Sequence, residues 1–287
     1  MPFQTQHWFR SALGLALLLA SPCFAQPVVD AGRAPDSQAT QLAQTLRTAI
    51  AGQALPTSSV NLRITVGADA LREALDADPS QLTLALYLSS VEFDVVLKDR
   101  KRSTNVTAIF NNPDPLDQVY LAESLLGKAT LGVFDSPNSH SLAVRLTHQS
   151  VQVISAQPEQ DIDSLLRRAS GINALIVLPD SAVLNRANIN HVVRTLYQQR
   201  SVLIGYSQTL TQVGSLASIY VTPNALLAQI LKTVTAVAEN GALPAPRFVS
   251  DVSVAVNEQL ARSLNIPLPP DATLLDAIKT RRKEQTP

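Results

Sequence analysis

The chain has 287 residues, with 23 basic and 23 acidic side chains. That balance leaves no positive field for nucleic acid or anionic lipid. A single cysteine, Cys23, excludes a disulfide framework and a thiolate metal site.

Arg10 is the only charged residue before Asp30. Ala12 to Ala20 is an apolar run as long as the core of an export signal and too short to cross a bilayer. Small residues follow, and Cys23-Phe24-Ala25-Gln26 offers cleavage after Ala25. Residues 1–25 therefore read as a signal peptide and the product as a soluble periplasmic protein. In the competing reading Cys23 is the acylated residue of a lipoprotein, and Pro22 directly before it argues against that. Cleavage removes Cys23, Trp8 and Met1, each the only one of its kind. It leaves 22 basic against 23 acidic residues and about 260 in all, enough for two modest α/β lobes.

Residues 26–37 read as a flexible leader. Asp36-Ser37 can cap a helix over 38–54, with Leu42, Leu46 and Ile50 on one face. Val60 to Val66 alternates and ends at Gly67, as a strand does. A short helix over 68–77 and a strand over 82–88 follow. Val91 to Ser103 is poorly patterned and carries Lys98-Asp99-Arg100-Lys101-Arg102, read as a solvated loop or, alternatively, a partner-docking loop. Val106 to Phe110 is a strand, and Leu116 to Leu126 a helix closed by Gly127. These elements make a first lobe over 38–127.

A second α/β series occupies 128–215. Strand 129–134, the loop Asp135-Ser136-Pro137-Asn138-Ser139-His140, a helix to His148 and strand 150–155 open it. Pro158 starts a helix to Arg168. Ala174 to Leu178 is an unbroken apolar run, which suits a strand buried on both faces. Ser181 to Arg200 has helical spacing, and Ser201 to Tyr206 is a second buried strand. Strand, helix, strand over this span is a parallel βαβ unit. Residues 216–278 hold a strand to Val221, a long helix from Pro223 to Asn240, a last alternating strand from Phe248 to Val256 and a terminal helix, and complete both lobes. Residues 279–287 are a charged tail.

Catalytic signatures are missing. The remaining histidines, His140, His148 and His191, have no partner at metal-ligand spacing. No nucleophile elbow, phosphate loop or dinucleotide fingerprint occurs. Asp135 and Asp180 both end strands and could form an acid–base couple, but strand-end aspartates more often cap the next helix. The pattern points to binding without catalysis and without a cofactor.

Six stretches occur in order along the chain. They are Thr107-Ala-Ile-Phe-Asn-Asn-Pro-Asp-Pro, Leu125-Leu-Gly-Lys-Ala-Thr-Leu-Gly-Val-Phe, Asn173-Ala-Leu-Ile-Val-Leu-Pro-Asp-Ser, Val213-Gly-Ser-Leu-Ala-Ser, Pro244-Ala-Pro, and Val254-Ala-Val-Asn-Glu-Gln-Leu-Ala-Arg-Ser-Leu-Asn-Ile-Pro-Leu-Pro. With these the chain from about Asn105 onward resembles the substrate-binding proteins of ABC transporters, of the uncharacterised or tryptophan/tyrosine uptake type. The resemblance implies an α/β, two-lobed, type I-like periplasmic-binding-protein fold with parallel sheets flanked by helices. It implies ligand in the interlobe cleft and closure on binding. The family's opening βα unit has no counterpart before Val60, so the first lobe reads as truncated.

Loops at the carboxyl ends of strands face the ligand in such sheets. That nominates Ser89 and Asn111 from the first lobe, and Ser136, Asp180, Ser181, Tyr206 and Ser207 from the second. Tyr206 is the candidate stacking residue; each Ser or Asp can equally be a helix cap, and Tyr206 a core residue. The expected partners are a small-molecule solute and an ABC permease or other membrane or periplasmic protein, with no nucleic acid. The alternative function is a binding-protein-like accessory of a sensor or outer-membrane receptor with little small-molecule binding. A short first lobe predicts little closure with free amino acids.

Overall fold

The computed structural model describes residues 27–33, 36–52, 60–98, 100, 105–157 and 160–285. The signal peptide, its cleavage site, Pro158 and most of the charge run at 99–102 lie outside them.

The first lobe begins with β1 (Val28–Asp30), α1 (Ser37–Ala51), β2 (Leu62–Val66), α2 (Ala68–Ala77), β3 (Leu82–Leu86), α3 (Ser90–Leu97) and β4 (Val106–Phe110). The second comprises α4 (Pro115–Leu126), β5 (Leu131–Asp135), α5 (His140–Leu146), β6 (Val151–Ser155), α6 (Ile162–Arg168), β7 (Ala174–Ile176), α7 (Ile189–Gln198), β8 (Val202–Gly205), α8 (Gln208–Val213) and β9 (Ala217–Tyr220). The chain then returns to the first lobe for α9 (Pro223–Asn240) and β10 (Arg247–Phe248). It ends in the second with β11 (Ser253–Val256), α10 (Glu258–Ser263) and α11 (Asp271–Gln285).

The first sheet has the order β1-β2-β3-β4-β10 and is parallel throughout. The second has the order β11-β9-β8-β7-β5-β6, with only β11 antiparallel. Its order reverses at β5, which places β6 and β7 on opposite sides. A crevice forms beyond the strand ends at such a point. The first sheet simply follows chain order.

Burial follows from these layers. Leu46 and Ile50 of α1 pack with Ile64 of β2 and with Ile230, Val234 and Val237 of α9. In the second lobe Val133, Ile176, Ile204 and Ile219 meet Val119 of α4 and Leu274 and Ile278 of α11. Gln118, 1% exposed, fixes α4 to the second sheet by donating to the carbonyls of Val177 and Ile204 at 2.9 and 3.1 Å. α4 thus belongs to the second lobe, although its sequence position assigned it to the first.

Other expectations need correction. The supposed leader contains β1, which pairs Val28, Val29 and Asp30 with Arg63, Ile64 and Thr65. The first sheet therefore starts well before Val60. The helix expected over 181–200 is confined to α7; turns fill 181–188, where Asn185 and Asn188 side chains bond the local backbone. Asparagine competes for backbone partners in this way and favours turns. The single strand expected over 248–256 is two strands, β10 and β11, on different sheets. As far as Gln285 the charged tail is the second half of α11, held by Arg281 on Glu123 at 2.5 Å and by Arg282 on Asp117.

Gly205 ends β8 under the start of α8. A Cβ there would sit 2.7 Å from Leu210 Cβ and collide with the Ser218 hydroxyl. Gly205→Ala is expected to cost about 1–3 kcal/mol, the range for overpacking a filled site. Urea unfolding measures it.

Candidate functional site

A cleft of about 660 Å³ lies between the lobes at the carboxyl ends of the strands. Its first wall follows β3 and β4. Ser89 caps α3: its Oγ accepts from Glu92 N at 3.2 Å, and Glu92 Oε2 accepts from Ser89 N at 2.7 Å. This reciprocal capping box fixes the helix entry. Asn111 follows β4, its N–H donating to Leu88 O at 3.1 Å. The neighbouring Asn112 is buried and accepts from Ser90 N at 2.8 Å, which ties the two loops together.

The second wall follows β5, β7 and β8. Asp180 is 4% exposed. Its Oδ2 accepts from the hydroxyls of Ser136 and Ser139, the latter at 3.0 Å. Its Oδ1 accepts from Ala182 N at 3.0 Å. The carboxylate is spent on the protein and cross-links the β5 and β7 loops. Ser207 caps α8 weakly, accepting from Leu210 N at 3.4 Å.

Six of the seven nominated residues line this one cleft: Ser89, Asn111, Asp180, Ser181, Tyr206 and Ser207. Ser136 does not; it is buried beneath, bonded to Asp180. The capping alternative describes Ser89 and, more weakly, Ser207; Asp180 heads a turn instead of a helix and bonds Ala182 N and two serines. Capping does not describe Ser181 or Asn111, whose side-chain hydroxyl and amide have no partner among the described residues. Tyr206 combines its two readings: it packs against the second lobe's core, while its hydroxyl has no partner among the described residues. Burial pushes the Tyr206 phenol up, and the charges of Glu92 and Asp180 add to this. It stays a neutral hydrogen-bond donor.

Asn138, Asp69, Arg72 and Glu92 also line the cleft. The Asn138 amide is free among the described residues, and its loop was already marked by its Ser/Asn/Pro content. Asp69 and Arg72 form an ion pair on the first turn of α2. Nothing in a short amphipathic helix marks which of its polar residues meets a second lobe.

The first lobe is thus well furnished with cleft groups, contrary to what its expected shortness implied. The lobes also touch beside the cleft. Ser141 Oγ of α5 donates to Asp94 Oδ2 of α3 at 2.5 Å. Arg145 of α5 pairs with Asp114, the cap of α4, within the second lobe at 2.6 Å. The Arg145 guanidinium also lies 5.6 Å from the Phe248 ring centre.

Asp135 pairs with His140 at 3.0 Å while Asp180 holds serines, so the two strand-end aspartates have separate roles. Among the described residues no group of three or more His, Cys, Asp or Glu is placed to hold a metal. No described helix is long and apolar enough to cross a membrane.

No family profile and no curated protein matches the chain. Solved structures do. One is the ABC domain in complex with L-Trp from Streptococcus pneumonia, at 16% identity and TM-score 0.55, covering 88% of this chain and 98% of that one. Another is a conserved domain protein from Vibrio cholerae, at 14% identity and TM-score 0.53, covering 88% and 97%. A third is a substrate-binding protein with adhesive properties from Clostridium difficile in its ligand-free, open form, at 13% identity and TM-score 0.58, covering 85% and 96%. At these identities the likeness is one of architecture: the chain has the two-lobed, type I-like α/β fold of periplasmic binding proteins.

Proposed function

We propose that this protein is a periplasmic solute-binding protein of an ABC-type uptake system, which captures a small polar solute between its lobes and does no chemistry on it. One observation carries the reading. Free, uncharged hydrogen-bonding groups from both lobes, at Asn111, Asn138, Ser181 and Tyr206, face a single cleft. Of the charged residues of the cleft, Asp180 is taken up by Ser136 and Ser139 and Glu92 by Ser89, while Asp69 and Arg72 pair with each other at the exposed rim. Hydrogen bonds to both walls stabilise the closed form over the open one, and that difference is what a ligand uses to shift the equilibrium. The structural relatives include proteins described as substrate-binding or bound to L-Trp, which supports capture of a small solute.

A second reading, an accessory module for a sensor or outer-membrane receptor, draws on the Asp94–Ser141 bond, which already joins the lobes. Small-angle scattering with pooled amino acids, sugars and other small solutes separates the two. Compaction on addition of one solute is the expected result. A radius of gyration unchanged by every solute favours the accessory role.

Export is part of the proposal. The exported species should begin at Gln26, as read by intact mass. A lipid-modified chain beginning at Cys23 overturns it.

A further inference from the structure

At the pole of the second lobe opposite the cleft, beside the amino ends of β5, β7 and β8, the surface carries a groove of about 750 Å³. The ends of α4, α7 and α10 meet there, at Leu126, Gln198 and Ser263. A cavity of about 250 Å³ adjoins it, and Tyr197 and Val202 line both. Tyr197 is 47% exposed at this junction.

The charge in this groove is one-sided. Lys128 and Arg200 line the larger part and Arg194 the smaller, and no Asp or Glu lines either. Lys128 and Arg200 have no ion-pair partner among the described residues, and Arg194 reaches only the His191 ring at 3.4 Å. The local explanation is that these cations offset the negative ends of the three helices. Each end carries about half a unit charge, so three ends offset about half of three full positive charges. The remainder is unmatched. Leu126, Leu264 and Ile266 supply partly exposed apolar surface between the cations.

We propose that this groove binds an acidic peptide segment of a partner protein, one that carries an aromatic or leucine side chain beside its carboxylates. An exposed tyrosine set among apolar side chains and unpaired cations is the surface such a segment fits. An anionic bilayer fits less well, because the chain as a whole carries no net charge. The groove is remote from the cleft, so occupancy does not compete with solute capture, and the inference stands whether or not the cleft binds a solute.

Panning a displayed library of random peptides against the intact exported protein tests this. Enriched peptides should combine Asp or Glu with an aromatic or leucine residue. A synthetic copy of the strongest should bind the Lys128→Glu/Arg200→Glu variant at least about tenfold more weakly, on the scale of a lost charge pair. Tyr197→Ala should weaken it too, and added salt should weaken it further. All three positions are exposed, so the variants should stay cooperatively folded, the glutamates melting slightly below the parent because they face helix carboxyl ends; Lys128→Glu alone serves if the double variant does not fold. No enrichment, enrichment without acidic bias, or acidic peptides that bind parent and variant equally would overturn the proposal.

Discussion

Replacing Arg282 with methionine is expected to lower stability by roughly 3–5 kcal/mol, the cost of stranding a buried charge. Asp117 is fully buried on α4. Arg282 from α11 meets it with two donors, Nε at 2.6 Å and a second guanidinium nitrogen, and also donates to Ser250 O. Two parallel bonds of this kind are geometrically specific as well as strong. Burial pushes the Asp117 carboxyl up, and Arg282 opposes that shift. Without Arg282 the upward push of burial, helped by the charge of Asp114, is opposed only by the more distant charge of Arg145. A carboxyl whose folded-state pKa is raised lowers stability above that pKa, and the loss disappears as pH falls through it toward the unfolded value. The deficit of Arg282→Met relative to the parent should therefore be full at neutral pH and narrow in acid. The double variant Asp117→Leu/Arg282→Met should recover most of the loss, since it leaves no orphaned charge. Urea titrations of the three variants at neutral and acid pH measure all of this. A deficit under 1 kcal/mol, on the scale of an exposed pair, would show that α11 does not hold α4 in this way.

Asp180→Ala should cost on the order of 1–3 kcal/mol, because it removes the one acceptor shared by the buried Ser136 and Ser139 hydroxyls, which are left only each other, and also the acceptor of the Ala182 N–H. The sequence leaves open whether Asp180 meets a ligand or caps the chain. Its two oxygens are both bonded to protein, so the main effect falls on stability, and any change in binding follows from loosened β5 and β7 loops. Ser181→Ala is the contrast. Its hydroxyl faces the cleft with no described partner, so stability should change by less than about 0.5 kcal/mol while solute affinity falls. Unfolding curves and ligand titrations on the two variants separate the roles. Equal stability for both would contradict the assignment of Asp180.

The strands and long helices were legible because their apolar spacing is strong. Val106–Phe110 and Ala174–Ile176 are fully buried, as unbroken apolar runs should be. What escaped has physical causes. β1 is three residues long, too short to show a period, and is recognisable only beside β2. The split between β10 and β11 turns on Val249 to Val252, where Phe248-Val249 followed by Ser250-Asp251 breaks the alternation for only one period, too briefly to announce a change of sheet. Arg281 and Arg282 read as solvated charges, since nothing local reveals Glu123 and Asp117 more than 150 residues earlier in the chain. In the cleft, strand ends were readable and most nominated residues meet there. The contributions of α2 and the sequestering of the Asp180 carboxylate depend on how the loops stack, which spacing does not encode.

Under the proposed function a small solute sits between the lobes. Native mass spectrometry of the protein exported to its own compartment and purified without denaturation tests it most directly. The parent should carry a small non-covalent adduct that is lost on denaturation. Ser181→Trp, which fills the cleft from one wall without touching the core, should fly without it. A parent that is bare under the same conditions, or a Ser181→Trp variant that keeps the adduct, would rule out solute capture in this cleft.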